Sequence, residues 1–507
     1  MSKHNLERIF LYVGLSVATG IILLFAISYF YFDLSHFSLT SLFHIIPQLV
    51  KTQSFTWLTV ASGLAGFALG LFLLWLYENH VPSSLKSRHH IRGADIVRTE
   101  KLKRYTLKKR QSQITIADVP IPTSLETLHF LIGGRTGTGK TVAIKEMLTR
   151  IIPRGDRVII TDPNGDFVSH FFKKGDVILN PFDLRGEGWS IFNEMSSVYD
   201  HMRYARSIIP PPISSHDREW HEYAQLLCAE TTKKLFLNRK YDTKELADWL
   251  TVKPQEELKE FLADTAAAGQ FISGADKAAA SVRFIIAKHI APHQYLKPGN
   301  FSLREWLKND NAGNLFITWR EDMADALRPL ISTWLDILCT SILSLPPSDN
   351  RRIWIIIDEL ASLERLNSLE AALTKGRKHG LRIVTGLQST AQLDHLYGRE
   401  KAIVLRSCFS NLLILGGTSS DSQTAEDFSR GLGEQDLERI QTSTTQTRQG
   451  RQKTEVKQRV KERIVLPSEI TNLPPLSGYL SFAGDYPIAR VELKPIDLPT
   501  VTQPFQE

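Results

Sequence analysis

Gly134-Arg135-Thr136-Gly137-Thr138-Gly139-Lys140-Thr141, placed directly after the apolar run Leu128 to Ile132, decides how this chain is read. A triphosphate carries several negative charges, and few side chains reach it closely. Glycines remove the obstacle: without Cβ atoms, Gly134, Gly137 and Gly139 let the backbone curl so that consecutive N–H groups point at the phosphates. Lys140 adds a point charge for the β- and γ-phosphates, and the Thr141 hydroxyl is a ligand for Mg²⁺. All eight residues, Arg135, Thr136 and Thr138 included, are therefore candidates for nucleotide contact. A strand-like run enters the loop and the helix formers Val142 to Arg150 leave it, which is the context the motif requires.

A nucleotide site needs a second half, supplied by Ile353-Trp354-Ile355-Ile356-Ile357-Asp358-Glu359. An unbroken β-branched run reads as a central parallel strand buried on both faces, so the two carboxylates emerge at the C-terminal edge of the sheet, where phosphates bind. Asp358 is expected to hold the metal and Glu359 to act as general base on the attacking water. A third strand, Leu381 to Leu387, ends in Gln388, a neutral amide suited to contact a γ-phosphate or the lytic water. No Asn-Lys-x-Asp element for guanine and no Leu-Ser-Gly-Gly signature occurs, so the expected nucleotide is ATP with Mg²⁺.

At 507 residues, 42% hydrophobic and 23% charged, the chain is globular and holds two or three domains. Cys228, Cys339 and Cys408 show no metal-ligand spacing and read as reduced core residues of a cytoplasmic body. Two uncharged segments, about 9–32 and 55–77, are each long enough to cross a hydrocarbon core of about 30 Å. Lys3 and Arg8 precede the first, only Lys51 lies between them, and a Lys/Arg-rich flank follows the second. By the positive-inside rule both termini face the cytoplasm. Gly66 and Gly70 would let two such helices approach closely.

The net charge of +7 is concentrated. Ten cations lie between Lys86 and Arg110, a stretch suited to anionic headgroups or nucleic-acid phosphate. Arg448 to Arg463 reads as a second basic segment, a loop or hairpin arm able to place charges on phosphate. Between Ser196 and Ala291 strand signals vanish and apolar residues follow helical spacing. Trp220, His221, Tyr223, Lys233 and Lys234 in this segment read either as a stacking platform for bases or as the core of a helical domain. Strands alternating with helices elsewhere imply a parallel α/β sheet, and Gly478 to Phe482 with Ala489 to Leu493 read as a terminal hairpin covering an edge. Asp162, in Asp162-Pro163-Asn164-Gly165, sits at the nucleotide edge or caps a turn.

The expected layout is a membrane module (1–80), a nucleotide-binding domain in two parts (81–195 and 301–507) and an inserted all-α domain (196–300). Two N-terminal spans, the phosphate loop, Asp162-Pro163-x-Gly165, Asn180-Pro181 with Trp189, the helical insert, Asp358-Glu359, Lys375-Gly376-Arg377 and Gly386-Leu387-Gln388 occur in one order. In that order the chain resembles the type IV coupling proteins of conjugative plasmids, of the TrwB/TraD type. The resemblance implies a RecA-like P-loop ATPase, a homohexamer around a channel in the bacterial inner membrane. Such a ring receives a relaxase with its covalently attached single-stranded DNA and passes the DNA to the type IV secretion components. It also implies that Arg377 reaches into the adjacent subunit's site; solvation or DNA contact is the competing reading of that basic turn. The sequence ends at Glu507 with no long acidic tail, so recognition of the relaxase through such a tail is not expected. Two other classes compete. A septal-type chromosome translocase would carry four spans and a winged helix, and a nucleotide-gated receptor would not need both Glu359 and Gln388.

Overall fold

The computed structural model describes residues 64–69, 72, 88–93, 95–271, 276–418, 420–447 and 450–507. They group into two compact units, 1–92 with 436–461 and 93–435 with 462–507. The expected span 9–32 lies outside the described residues, and of 55–77 only 64–69 and 72 are described, as helix. Among the described residues one helical stretch, Glu321–Leu343, is long and apolar enough to cross a membrane, but 78% of its apolar window is buried inside the protein. It is a core helix.

In chain order the strands are β1 (Arg88–Gly93), β2 (Ile96–Arg98), β3 (Thr115–Ile116), β4 (Val119–Pro120), β5 (Phe130–Gly133), β6 (Arg157–Pro163), β7 (Val177–Leu179) and β8 (Leu315–Trp319). They continue with β9 (Ile353–Ile357), β10 (Leu381–Leu387), β11 (Asn411–Leu415), β12 (Glu434–Thr447), β13 (Gly450–Arg463), β14 (Ser477–Ser481) and β15 (Ile488–Glu492). Ten of them form one sheet in the order β2-β15-β14-β11-β5-β10-β9-β6-β8-β7. Every strand but β14 runs the same way.

The strand sequences account for this architecture. In β9 every residue is buried, with Ile353, Ile355 and Ile357 in one hydrophobic cluster and Trp354 and Ile356 in the other. Alternate residues of β6 divide the same way, Ile159 to the first and Val158 and Ile160 to the second. A strand apolar on both faces is stable only when helices cover both, and short parallel connections through helices supply them. The helix Lys140–Ile151 covers one face. The other carries Ala324–Leu343 and the helices Asp200–Ile208, Arg218–Leu237, Thr243–Thr251, Gln255–Phe261 and Asp276–Ile290. Ala324–Leu343 connects β8 to β9 and the other five lie between β7 and β8; the apolar residues of all six belong to the same cluster as Ile159 and Ile355, so helices and sheet share one core.

One expectation changes, and one of two alternatives is chosen. The C-terminal hairpin β14–β15 does not end the sheet: β14 pairs with β11 through four residues, and β2, paired with β15, forms that edge. The basic segment at 448–463 belongs to a long hairpin, β12–β13, which with β1 makes a separate three-stranded sheet and groups with the N-terminal unit. Within that unit Arg92 Nε donates to Asp436 at 2.5 Å, Arg459 stands 3.4 Å from the same carboxylate, and Lys457 lies 3.3 Å from Glu438.

Candidate nucleotide site

Register brings the expected site residues together. Leu387 of β10 pairs with Gly133 of β5, and Thr385 pairs with Ile357 of β9. The phosphate loop, Gln388 and Asp358-Glu359 therefore leave three adjacent strands at one edge. They line a cavity of about 290 Å³ together with Arg135, Thr136, Gly137, Gly139 to Val142 and Leu476.

The loop's geometry follows from its glycines. Gly137 and Gly139 adopt φ of +78° and +112°, the region that favours residues without a Cβ. The turn is stitched by Thr138 Oγ1 donating to the Arg135 carbonyl at 2.7 Å, and it is pinned to neighbours by Gly134 N to Leu387 O and Arg135 N to Gly416 O, both 3.0 Å. Gly386 lets β10 pass close beside Asp358, because a Cβ there would collide with the Asp358 carbonyl.

Lys140 is buried and its Nζ donates to the Gly134 carbonyl at 2.8 Å, 3.8 Å from Glu359 Oε2. Thr141 Oγ1 lies 3.3 Å from Asp358 Oδ1, so two hard oxygen donors converge, which suits Mg²⁺. Both carboxylate oxygens of Glu359 are buried without a hydrogen-bond partner. A buried acceptor left in this way fits a group that binds or positions water. Burial raises Asp358 and Glu359 above their ordinary values, with Lys140 opposing it. Burial lowers Lys140, against the pull of the two carboxylates.

The structure does not bring all expected residues to this edge. Arg377 is exposed in the turn Gly376–His379, at the opposite end of β10, beside a second cavity of about 690 Å³ lined also by Lys375, Lys378 and Arg351. Asp162 does stand at this edge, since Thr161 of β6 pairs with Ile357, but it is fully buried outside the cavity lining and accepts from the N–H groups of Phe167 and Val168 at 3.0 and 2.7 Å, so its carboxylate caps the following helix. Burial pushes it up to about 7. Trp220 and Tyr223 are exposed and meet edge to face at 6.2 Å, so they are not core. Lys233 and Lys234 pair with Glu230 and Asp264. Leu476 was not expected: its N–H donates to the Thr138 carbonyl at 3.0 Å and its side chain lines the cavity. No local pattern could signal it, since the contact joins distant parts of the chain.

A parallel sheet with a phosphate loop after β5, an acidic pair after β9 and a glutamine after the strand between them defines a P-loop nucleotide-binding protein. Residues 113–494 match the family described as the type IV secretion-system coupling protein DNA-binding domain, and the chain belongs to that family. The coupling protein TraD of Escherichia coli is 30% identical over 416 residues, 79% of this chain and 57% of TraD, so the chain spans little more than half of that relative. VirD4 of Bartonella henselae, a type IV secretion system-coupling protein, is 29% identical over 147 residues, 28% of this chain and 21% of VirD4. Among solved structures, unbound TrwBΔN70, a bacterial conjugative coupling protein, is 47% identical with a TM-score of 0.79, covering 83% of this chain and 97% of that one. TrwB in complex with ADP and Mg²⁺ is also 47% identical with a TM-score of 0.77, covering 83% and 97%.

Proposed function

We propose that this protein is an ATP-hydrolysing motor of conjugation, a homohexamer in the bacterial inner membrane that couples a relaxase–DNA complex to a type IV secretion channel and moves single-stranded DNA. The observation that carries this reading is the meeting of Lys140, Thr141, Asp358, Glu359 and Gln388 around one cavity, with the Glu359 carboxylate oxygens withdrawn from solvent 3.8 Å from Lys140. Membership of the coupling-protein family supports the conjugative setting, and the nucleotide complexes of TrwB support the ligand class.

In this reading the N–H groups of Arg135 to Thr141 and the Lys140 ammonium hold the β- and γ-phosphates. Thr141 and Asp358 hold Mg²⁺, which when bound neutralises charge on the phosphates and orients them for in-line attack. Glu359 takes the proton of the attacking water; burial raises its proton affinity towards that of a working base. Gln388 contacts the γ-phosphate or that water. Arg377, at the far end of β10, serves the neighbouring subunit's site, an arrangement that closes a head-to-tail ring. Residues 9–32 and 55–77 tether the ring as a two-pass anchor with both termini cytoplasmic, and 196–300 act as an inserted all-α domain.

Steady-state ATP turnover with and without single-stranded DNA tests the proposal. DNA-stimulated turnover that Lys140→Ala abolishes is expected. A protein that binds ATP but never turns it over, with or without DNA, would instead be the nucleotide-gated receptor.

A further inference from the structure

The turn that carries Gln388 is held by side chains from a helix outside the nucleotide cavity. Ser389 caps the helix Thr390–Tyr397, its Oγ accepting from Ala391 N at 3.2 Å. The Thr390 N–H donates instead to Thr424 Oγ1 at 2.9 Å, and Thr390 Oγ1 donates to Asp427 Oδ2 at 2.9 Å. Ser389 Oγ also lies 3.3 Å from Thr424 Oγ1. Thr390 and Thr424 are both buried. The receiving helix, Ser422–Leu432, is itself fixed: Asp421 caps it by accepting from Thr424 N at 3.1 Å, and Arg406 reaches both Asp394, at 3.1 Å, and Asp427, at 3.8 Å.

The same helix touches the other half of the site. One turn beyond Thr424, the Phe428 ring lies against Gly133, the residue before the phosphate loop, so closely that a Cβ at 133 would fall 2.7 Å from Phe428 Cε2. No residue of Ser422–Leu432 lines the cavity. The helix thus braces two catalytic turns without meeting the reacting groups.

We infer that Thr424 and Asp427 are positioning residues that set the turn of Gln388 against the phosphate loop. The inference rests on the proposed role of Gln388. A buried N–H at a helix start has no partner within the helix, and Thr424 Oγ1 supplies one from outside. Removing that oxygen leaves the Thr390 N–H unpaired and frees the turn two residues after Gln388, while the contacts of the phosphate loop stay in place.

The test is a double-mutant cycle on ATP turnover by the full chain, with Thr424→Val, Thr424→Ser and Gln388→Ala. Thr424→Val is expected to lower kcat about tenfold with KM nearly unchanged, because a misplaced catalytic group costs rate rather than binding. Thr424→Ser keeps the acceptor and restores kcat. In the Gln388→Ala background, Thr424→Val is expected to cost less than about twofold more, since the group it positions is already gone. Two effects that multiply, or a Thr424→Ser variant as slow as Thr424→Val, would overturn the positioning role. Should Thr424→Val fold poorly, Asp427→Ala enters the same cycle with the same expectations. Gln388→Ala turning over at the normal rate would overturn the assignment of Gln388, and this inference with it. That result is distinct from multiplying effects, which would leave Gln388 in place.

Discussion

Gly386→Ala perturbs the site without touching nucleotide. The added methyl would drive into the Asp358 carbonyl oxygen and stand 2.9 Å from its carbon, where ordinary contact begins near 3.4 Å, with Lys140 Cδ 3.6 Å away on the other side. The obstacle is backbone at the end of β9, and its carbonyl oxygen is the nearest atom, so relief requires that strand end to retreat by more than about 1 Å. Forcing a methyl into packed surroundings costs about 1–3 kcal/mol. Displacement on that scale at a catalytic carboxylate, given that about 1 Å can cost 10²-fold, lowers kcat by about 100-fold or more. Steady-state ATPase kinetics and thermal unfolding are the assays, with Gly269→Ala, where a Cβ meets nothing within 4 Å, as the control. Wild-type kcat and an unchanged Tm in Gly386→Ala would refute the claim that the closeness of β10 and β9 places Asp358.

Arg377→Ala should bind ATP yet turn it over about 10³-fold more slowly, and mixing it with Glu359→Gln should recover some activity at interfaces that combine an intact Arg377 with an intact Glu359; pre-formed mixed oligomers no more active than the two variants apart would end the trans-acting role. Neutralising Lys457, Arg459 and Lys461 on the β12–β13 hairpin should lower the slope of log affinity for single-stranded DNA against log salt by up to about 2; an unchanged slope in a salt titration would release the hairpin from DNA contact. Asp162 keeps its proton to about 7 in the fold, whereas the unfolded chain loses it near 3.8. Unfolding between those values releases a proton, so stability should fall as pH rises from about 4 to about 7, and denaturant melts of Asp162→Asn should show a shallower decline over that window.

The nucleotide site was legible because its parts lie in short, strongly typed stretches. A β-branched run ending in Asp358-Glu359 and a glycine loop ending in Lys140-Thr141 each announce a strand and what leaves its end. What was not legible depends on pairing between distant segments. Thr424 is one threonine in a polar helix, and only the fold sets it against Thr390. The hairpin β14–β15 was visible as two strands, but its insertion between β11 and β2 is decided by which edge is open after the parallel strands have packed. Trp220 and Tyr223 follow helical spacing, yet periodicity does not distinguish an aromatic turned inward from one left on the surface.

The hydrogen bond from Leu476 to the Thr138 carbonyl has a consequence in time. Ribosomes add about 5–20 residues per second, so the phosphate loop exists for on the order of 20–70 s before the residue that closes over it is made. A contact of such sequence separation also forms late in folding, after the loop-closure entropy has been met by nearer contacts. The nascent chain therefore presents its phosphate-binding loop long before the nucleotide cavity is complete.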